Sequence, residues 1–171
     1  MPAALLQAAM VRMARAEPTG DPVICRRVIA SALSLAATSG TLLFVCLCAA
    51  AAPLAQAFFE PTAAGAVAAG LAVTLLVLLG VMELVANPGL GAAGLLRGRK
   101  DTRVPMLYTL AGYWCVGAPL GLWLSEVLHL GIAGVWTGLT VGTLVTTCLM
   151  LARLAGANQH PQSQPASQGQ E

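Results

Sequence analysis

One carboxylate, Glu83, lies deep inside an apolar stretch that runs from about Ala63 to Ala86. Taking an acid into hydrocarbon is costly, so an acid retained there is a functional candidate by default and needs a partner or a water-lined cavity. The chemistry open to it is exchange: a carboxylate can take up a proton, a metal cation or an organic cation and release it again. Asn87, one helical turn on, adds a carbonyl and an amide on about the same face. Pro88 follows and lacks a backbone donor. The alternative reading is therefore a helix break at Asn87–Pro88, with Glu83 satisfied by local polar groups. Tyr113 and Trp114 form the other chemical pair. Their rings suit stacking on a flat organic cation, and equally an interfacial or packing role.

Covalent chemistry has little to work with. The sequence shows no nucleophile–base pair, metal cluster or phosphate loop, so no enzyme, metal centre or cofactor is expected. His129 and His160 stand alone. Of the five cysteines, four fall inside apolar runs and none has zinc-finger spacing. They read as small apolar residues against lipid or helices.

The elements that hold these residues follow from composition. The chain has 171 residues, 57% hydrophobic and only 9% charged, where a soluble domain carries about 25% charged residues. Such a chain cannot cover a water-facing surface. A net charge of +2 is too small to argue for nucleic acid. The reading is an all-α, polytopic integral membrane bundle with four stretches of the required length, about 20 residues: 28–52, 63–86, 104–127 and 132–154. Pro53 is expected to end the first, leaving Leu54 to Phe59 as a short interfacial piece. Residues 1–22 read as the end of a helix, too short to span, followed by a loop. Residues 155–171, rich in Gln, Ser and Pro, read as a disordered tail.

Charge placement sets the orientation. Arg12, Arg15, Arg26 and Arg27 precede the first span, Arg97, Arg99, Lys100 and Arg103 separate the second from the third, and Arg153 closes the fourth. In a four-span arrangement all nine positive charges fall on one side, which the positive-inside rule makes cytoplasmic. Both termini are expected there, with the chain multi-pass in the cell's inner membrane. The basic loop Arg97–Arg103 is expected to anchor topology near anionic lipid, with Asp101 or Thr102 capping the next helix. Gly134, Gly138 and Gly142 recur every four residues on the fourth span, and Gly117 and Gly121 do so on the third. That spacing makes a small-residue face for close helix packing, with a substrate-lining role as the alternative. Thr137, Thr140, Thr143, Thr146 and Thr147 are expected to hydrogen-bond within their own helix.

The run from Gly94 to Pro105 resembles the cytoplasmic loop of multidrug and toxin extrusion (MATE) transporters of the NorM type, G-x-L-R-G-x-x-D-T-R-x-P. Arg97, Gly98, Asp101, Thr102 and Pro105 occupy its marked positions. Tyr113 to Gly121 is similar to the family's Y-W-x-x-G-x-P-L-G, and Leu130 to Leu139 to its L-G-x-x-G-x-W-x-G-L. Val11–Arg15 with Gly20-Asp21-Pro22 resembles the loop after helix eight. The resemblance covers about residues 5–154 and places them at the end of helix eight and helices nine to twelve, within the second of two six-helix lobes.

The resemblance implies secondary active transport, with organic cations or drugs exchanged for H+ or Na+ and no covalent step. It implies lipid, such substrates, and the missing first lobe or another copy of the chain as partners, and it makes this chain a fragment of a twelve-helix protein. Many relatives carry an Asp on helix ten, eight residues before the first Gly of the loop motif. Ala86 stands at that position here, so Glu83, with Asn87, is the candidate coupling site in its stead. Two other readings compete: a small four-span exporter acting as a dimer, and a membrane protein that dimerises or stabilises a partner without transporting.

Overall fold

A computed structural model describes residues 2–60 and 62–159. Among the described residues six α-helices appear in order: α1 (Pro2–Ala16), α2 (Pro22–Phe58), α3 (Ala63–Gly98), α4 (Arg103–Ala111), α5 (Ala118–Glu126) and α6 (Gly131–Gln159). A 3-10 turn over Glu17–Thr19 follows α1, and one π-turn, Gly112–Gly117, joins α4 to α5 without interruption. The third apolar stretch is therefore one rod over 103–126. The all-helical membrane bundle expected from composition is the fold observed.

Helix starts are set locally. Asp21 caps α2, its Oδ1 accepting from Val23 N–H at 2.8 Å, with Pro22 at the first helical position, where its missing N–H costs nothing. Thr62 caps α3 by accepting from Gly65 N–H at 3.1 Å. Lys100 (φ 65°) turns the chain from α3 into α4, and His129 and Gly131 (both φ 53°) turn α5 into α6.

Three expectations need correction. Pro53 does not end the first span: α2 runs through it to Phe58. Asn87–Pro88 is not a break: α3 runs through it to Gly98. Membrane helices tolerate an internal proline because neighbouring helices and polar side chains re-satisfy the freed groups, and α2 and α3 lie along each other as a long hairpin. The fourth helix extends past Leu154 to Gln159, so residues 155–159, expected to begin a disordered tail, are helical. The rest of that tail lies outside the described residues.

Helix α3 is the hub, packed on α1, α2 and α6. The densest packing lies at its C-terminal end. Met13 of α1, Ile29 of α2, Leu95 and Leu96 of α3, and Met150 and Leu154 of α6 are buried in one cluster there. The opening segment is part of this core. A β-carbon at Gly98 would lie 2.7 Å from Met10 O and from Met13 Cβ, and one at Gly94 would lie 2.5 Å from Leu6 O. Pairing residue 6 with 94 and residues 10–13 with 98 makes α1 parallel to α3, so the C-terminal end of α1 reaches the basic end of the molecule. Large apolar side chains such as Leu35, Leu42, Val45, Val67 and Leu71 point outward, as a lipid-immersed surface requires.

Candidate functional site

Glu83 and Asn87 are held together, and a residue of the neighbouring helix joins them. Asn87 is 1% exposed. Its Nδ2 donates to Glu83 Oε2 at 3.0 Å and to Glu83 O at 2.7 Å. From α2, Ser39 Oγ donates to Asn87 Oδ1 at 3.4 Å and to Ala36 O at 3.0 Å. The approach of the two helices depends on Gly40: a β-carbon there would lie 3.1 Å from Glu83 O and 3.2 Å from Asn87 Cβ. The result is a carboxylate, an amide and a hydroxyl in line across the α2–α3 hairpin, with apolar residues above and below. Glu83 remains half-buried, while Asn87 behind it is sealed.

Ser39 and Gly40 were not among the residues singled out from sequence. The signal was present. Thr38-Ser39-Gly40 is a polar, small interruption of the first span, and Ser39 and Glu83 stand at nearly equal distances from the turn at 59–62, so a hairpin must place them side by side.

The aromatic pair divides. Tyr113 is tied inward, its hydroxyl 3.2 Å from Thr143 Oγ1, a side chain of α6. Trp114, the next residue, is 70% exposed. They occupy different faces, so the structure does not present them as one stacking surface. Among the described residues no hydrogen bond links either of them to Glu83 or Asn87.

The π-turn explains the glycine pattern. Gly134, Gly138 and Gly142 are spaced by four, whereas the facing glycines on the third span, Gly112, Gly117 and Gly121, are spaced by five and then four. A five-residue step on an α-helix with 3.6 residues per turn leaves the starting face. One turn closed by i→i+5 bonds, such as Ala118 N–H to Tyr113 O, absorbs the extra residue. All three glycines then face α6: a β-carbon at Gly142 would lie 2.5 Å from Gly112 O and 2.8 Å from Gly117 Cα, and Gly138 sits directly against the Gly121 backbone.

Four of the five threonines donate to their own helix: Thr137, Thr140, Thr143 and Thr146, each to the carbonyl four residues back. Thr146 also donates to Tyr108 O at 3.3 Å, just before the π-turn. Thr147 departs from the expectation: it donates across to Val85 O of α3 at 3.0 Å, fastening α6 beside the Glu83–Asn87 turn.

At the basic end, Arg99 Nε meets Glu17 Oε2 at 3.1 Å and Arg153 Nε meets Asp101 Oδ2 at 3.2 Å. Thr102 stands at the N-cap of α4 but makes no capping side-chain bond, and Asp101 is engaged by Arg153 instead. Pro105 is buried in the first turn of α4, Gly98 is the contact with α1, and Arg97 points outward. Gly98, Asp101 and Pro105 therefore sit at the junction of α1, α3, α4 and α6, while Arg97 and Thr102 are exposed.

Comparison with known proteins gives a consistent picture. The MatE family profile matches residues 1–123. The chain is 46% identical over 83 residues to the probable multidrug resistance protein NorM of Brucella suis biovar 1, covering 48% of this chain and 18% of that protein. It is 35% identical over 154 residues to the multidrug resistance protein NorM of Burkholderia vietnamiensis, covering 90% of this chain and 33% of the relative. The chain thus spans about a third of the length of a relative it matches nearly throughout. Among solved structures, the crystal structure of the eukaryotic MATE transporter AtDTX14 superposes with a TM-score of 0.75 over 94% of this chain and 37% of that one, at 19% identity; that likeness bears on the fold.

Proposed function

We propose, on the premise that this chain belongs to the MatE family of membrane transporters, that it serves cation-coupled efflux: an organic cation or drug leaves in exchange for H+ or Na+. The observation that carries this reading is the Glu83–Asn87–Ser39 line inside the bundle. A buried amide bonded to an acid in a membrane span is a costly arrangement to retain for packing alone. A carboxylate that alternately holds the coupling ion and a cationic substrate needs no covalent step and no cofactor, and its charge supplies the mutual exclusion that antiport requires. The relatives named NorM carry multidrug resistance in their names, which supports organic cations and drugs as the substrate class.

The nine positive charges support a cytoplasmic location for the loops at 17–21 and 99–102 and for the end of α6, in the cell's inner membrane, with anionic lipid against the basic loop. The first helix reaches that side through its C-terminal end. A cleft for a bulky cation needs a facing half-barrier, so the working partner is a first lobe or a second copy of the chain. Trp114, exposed and next to the tied Tyr113, is a candidate wall for a flat substrate. The test is ethidium accumulation in cells expressing the chain, with and without a collapsed proton or sodium gradient. Glu83→Gln removes gradient-dependent efflux if Glu83 couples; unchanged efflux would exclude it.

A further inference from the structure

The π-turn and Pro119 together strip backbone carbonyls of their donors in the middle of the third span. In an α-helix Trp114 O would accept from Ala118 N–H, four residues on. Here Ala118 N–H goes back to Tyr113 O instead. The next amide, which would serve Trp114 O if the i→i+5 pattern continued, belongs to Pro119, which has no N–H. Pro119 also withholds the α-helical donor of Cys115 O. Side chains do not fill the gap. Among the described residues the nearby hydroxyls are engaged elsewhere: Thr109 on Pro105 O, Thr140 on Trp136 O and Thr143 on Leu139 O.

The place of this carbonyl makes the gap costly. Gly112 and Gly117 press on α6, so Trp114, between them, lies on the opposite side of the rod. Its side chain is 70% exposed, and Cys115 and Pro119 are exposed beside it. Trp114 also stands near the midpoint of the 103–126 rod, at the depth of the hydrocarbon. Irregular backbone at that depth is tolerated only where it is buried in protein or lines water. We propose that this face of the third span lines a water-filled cavity, and that Trp114 O and the Trp114 indole form a subsite there for an organic ammonium ion that still carries an N–H. The carbonyl accepts the N–H, and the face of the ring takes the positive charge. Such a site discriminates: a protonated amine bonds to the carbonyl, and a quaternary ammonium, with no N–H, does not. For the class of cation this rests on the efflux reading, but the subsite itself does not use Glu83.

Cys115 is a native reporter beside the subsite. The full chain in lipid nanodiscs, open to reagent from both faces, is treated with a trimethylammonium methanethiosulfonate, which modifies hydrated thiols. The cysteine peptides are followed by mass spectrometry. Cys46, exposed beside the outward-facing Leu42 and Val45, is the lipid-facing reference. Cys115 is expected to react about tenfold faster than Cys46 or more, because a thiol in hydrocarbon meets neither water nor the reagent. Benzyldimethylammonium is expected to protect Cys115 at about a tenth of the concentration that benzyltrimethylammonium needs, the lower end of what a hydrogen bond to a charged group is worth. Pro119→Ala returns the missing N–H and is expected to bring the two cations level. Trp114→Ala is expected to weaken both. Circular dichroism shows that the variants are folded, and the wild-type comparison decides alone if one is not. Cys115 as slow as Cys46 places this face in lipid or under another chain and overturns the inference. Fast labelling with equal protection by the two cations, or with none, also overturns it. So does a folded Pro119→Ala variant that keeps the wild-type preference. No ion gradient enters the readout, so failure of Glu83-coupled efflux and failure of this subsite are separate results.

Discussion

Gly138→Ala tests the packing of the last two spans at its tightest point. A β-carbon at Gly138 would run into the backbone N and Cα of Gly121 and lie 2.8 Å from Gly117 O. All three obstacles are backbone, so no side chain can swing aside and the helices must separate. Alanine is favoured over glycine within a helix by about 1 kcal/mol. Forcing a methyl into a packed contact costs typically about 1–3 kcal/mol net, sometimes more, and a membrane interface built on close backbone approach also loses dispersion contacts along the seam. The expected result is destabilisation by about 1–3 kcal/mol. Gly156→Ala is the internal control: it lies on the same helix with nothing within 4 Å of its β-carbon and should be neutral or stabilising by up to about 1 kcal/mol. Reversible unfolding in mixed detergent micelles, followed by circular dichroism, measures both. If Gly138→Ala and Gly156→Ala shift stability equally, the close approach of the third and fourth spans is wrong.

Further consequences follow from the same geometry. Deleting Cys115 shortens the Gly112–Gly117 step from five residues to four and should convert the π-turn to α-helix with the glycine face kept, changing stability by less than about 1 kcal/mol. Deleting Leu120 instead moves Gly121 off that face and should cost several times more in the same unfolding assay, since one residue rotates everything beyond it by about 100°. Asn87→Ala leaves Glu83 Oε2 and Ser39 without their buried partner and should destabilise by about 1–3 kcal/mol, whereas Arg153→Gln breaks a half-exposed ion pair with Asp101 and should cost under about 1 kcal/mol, less in high salt. For topology, Glu60→Cys should react with a membrane-impermeant maleimide from outside intact cells and Lys100→Cys only after the cells are opened; the reverse pattern would invert the orientation.

How much of this was legible in the sequence varies by element. The spans were legible because hydrocarbon imposes a length and excludes charge, and Arg97 to Arg103 marks a turn that cannot enter it. The prolines were misleading. Pro53 and Pro88 break isolated helices, but in the α2–α3 hairpin the neighbouring helix holds the rod together, a tertiary effect that local propensity does not contain. The π-turn was hidden for a related reason: the four-residue step from Gly117 to Gly121 fits a regular helix, while Gly112 lies five residues earlier and shares their face only because the helix widens by one residue there. Thr147 illustrates the limit for polar side chains. Its own helix offers it an acceptor, as for Thr143 and Thr146, and only the closeness of Gly89 on α3, whose β-carbon would clash with Thr147 Oγ1, directs it to Val85 O. At the candidate site, Glu83 and Asn87 announced themselves by their cost in a membrane. Ser39 did not, because a serine in a membrane helix ordinarily back-bonds within its own turn, as Ser31 and Ser34 do here.

The exchange proposed for Glu83 can be tested without a completed transport cycle. Tetraphenylphosphonium is added to the purified chain in weakly buffered detergent, and released protons are counted with a pH indicator; in parallel, its binding is titrated against sodium. If Glu83 exchanges ions for organic cations, binding releases protons or is competed by sodium, and Glu83→Gln abolishes both the displacement and the competition. Equal binding by wild type and Glu83→Gln, with no ion displaced, would contradict it.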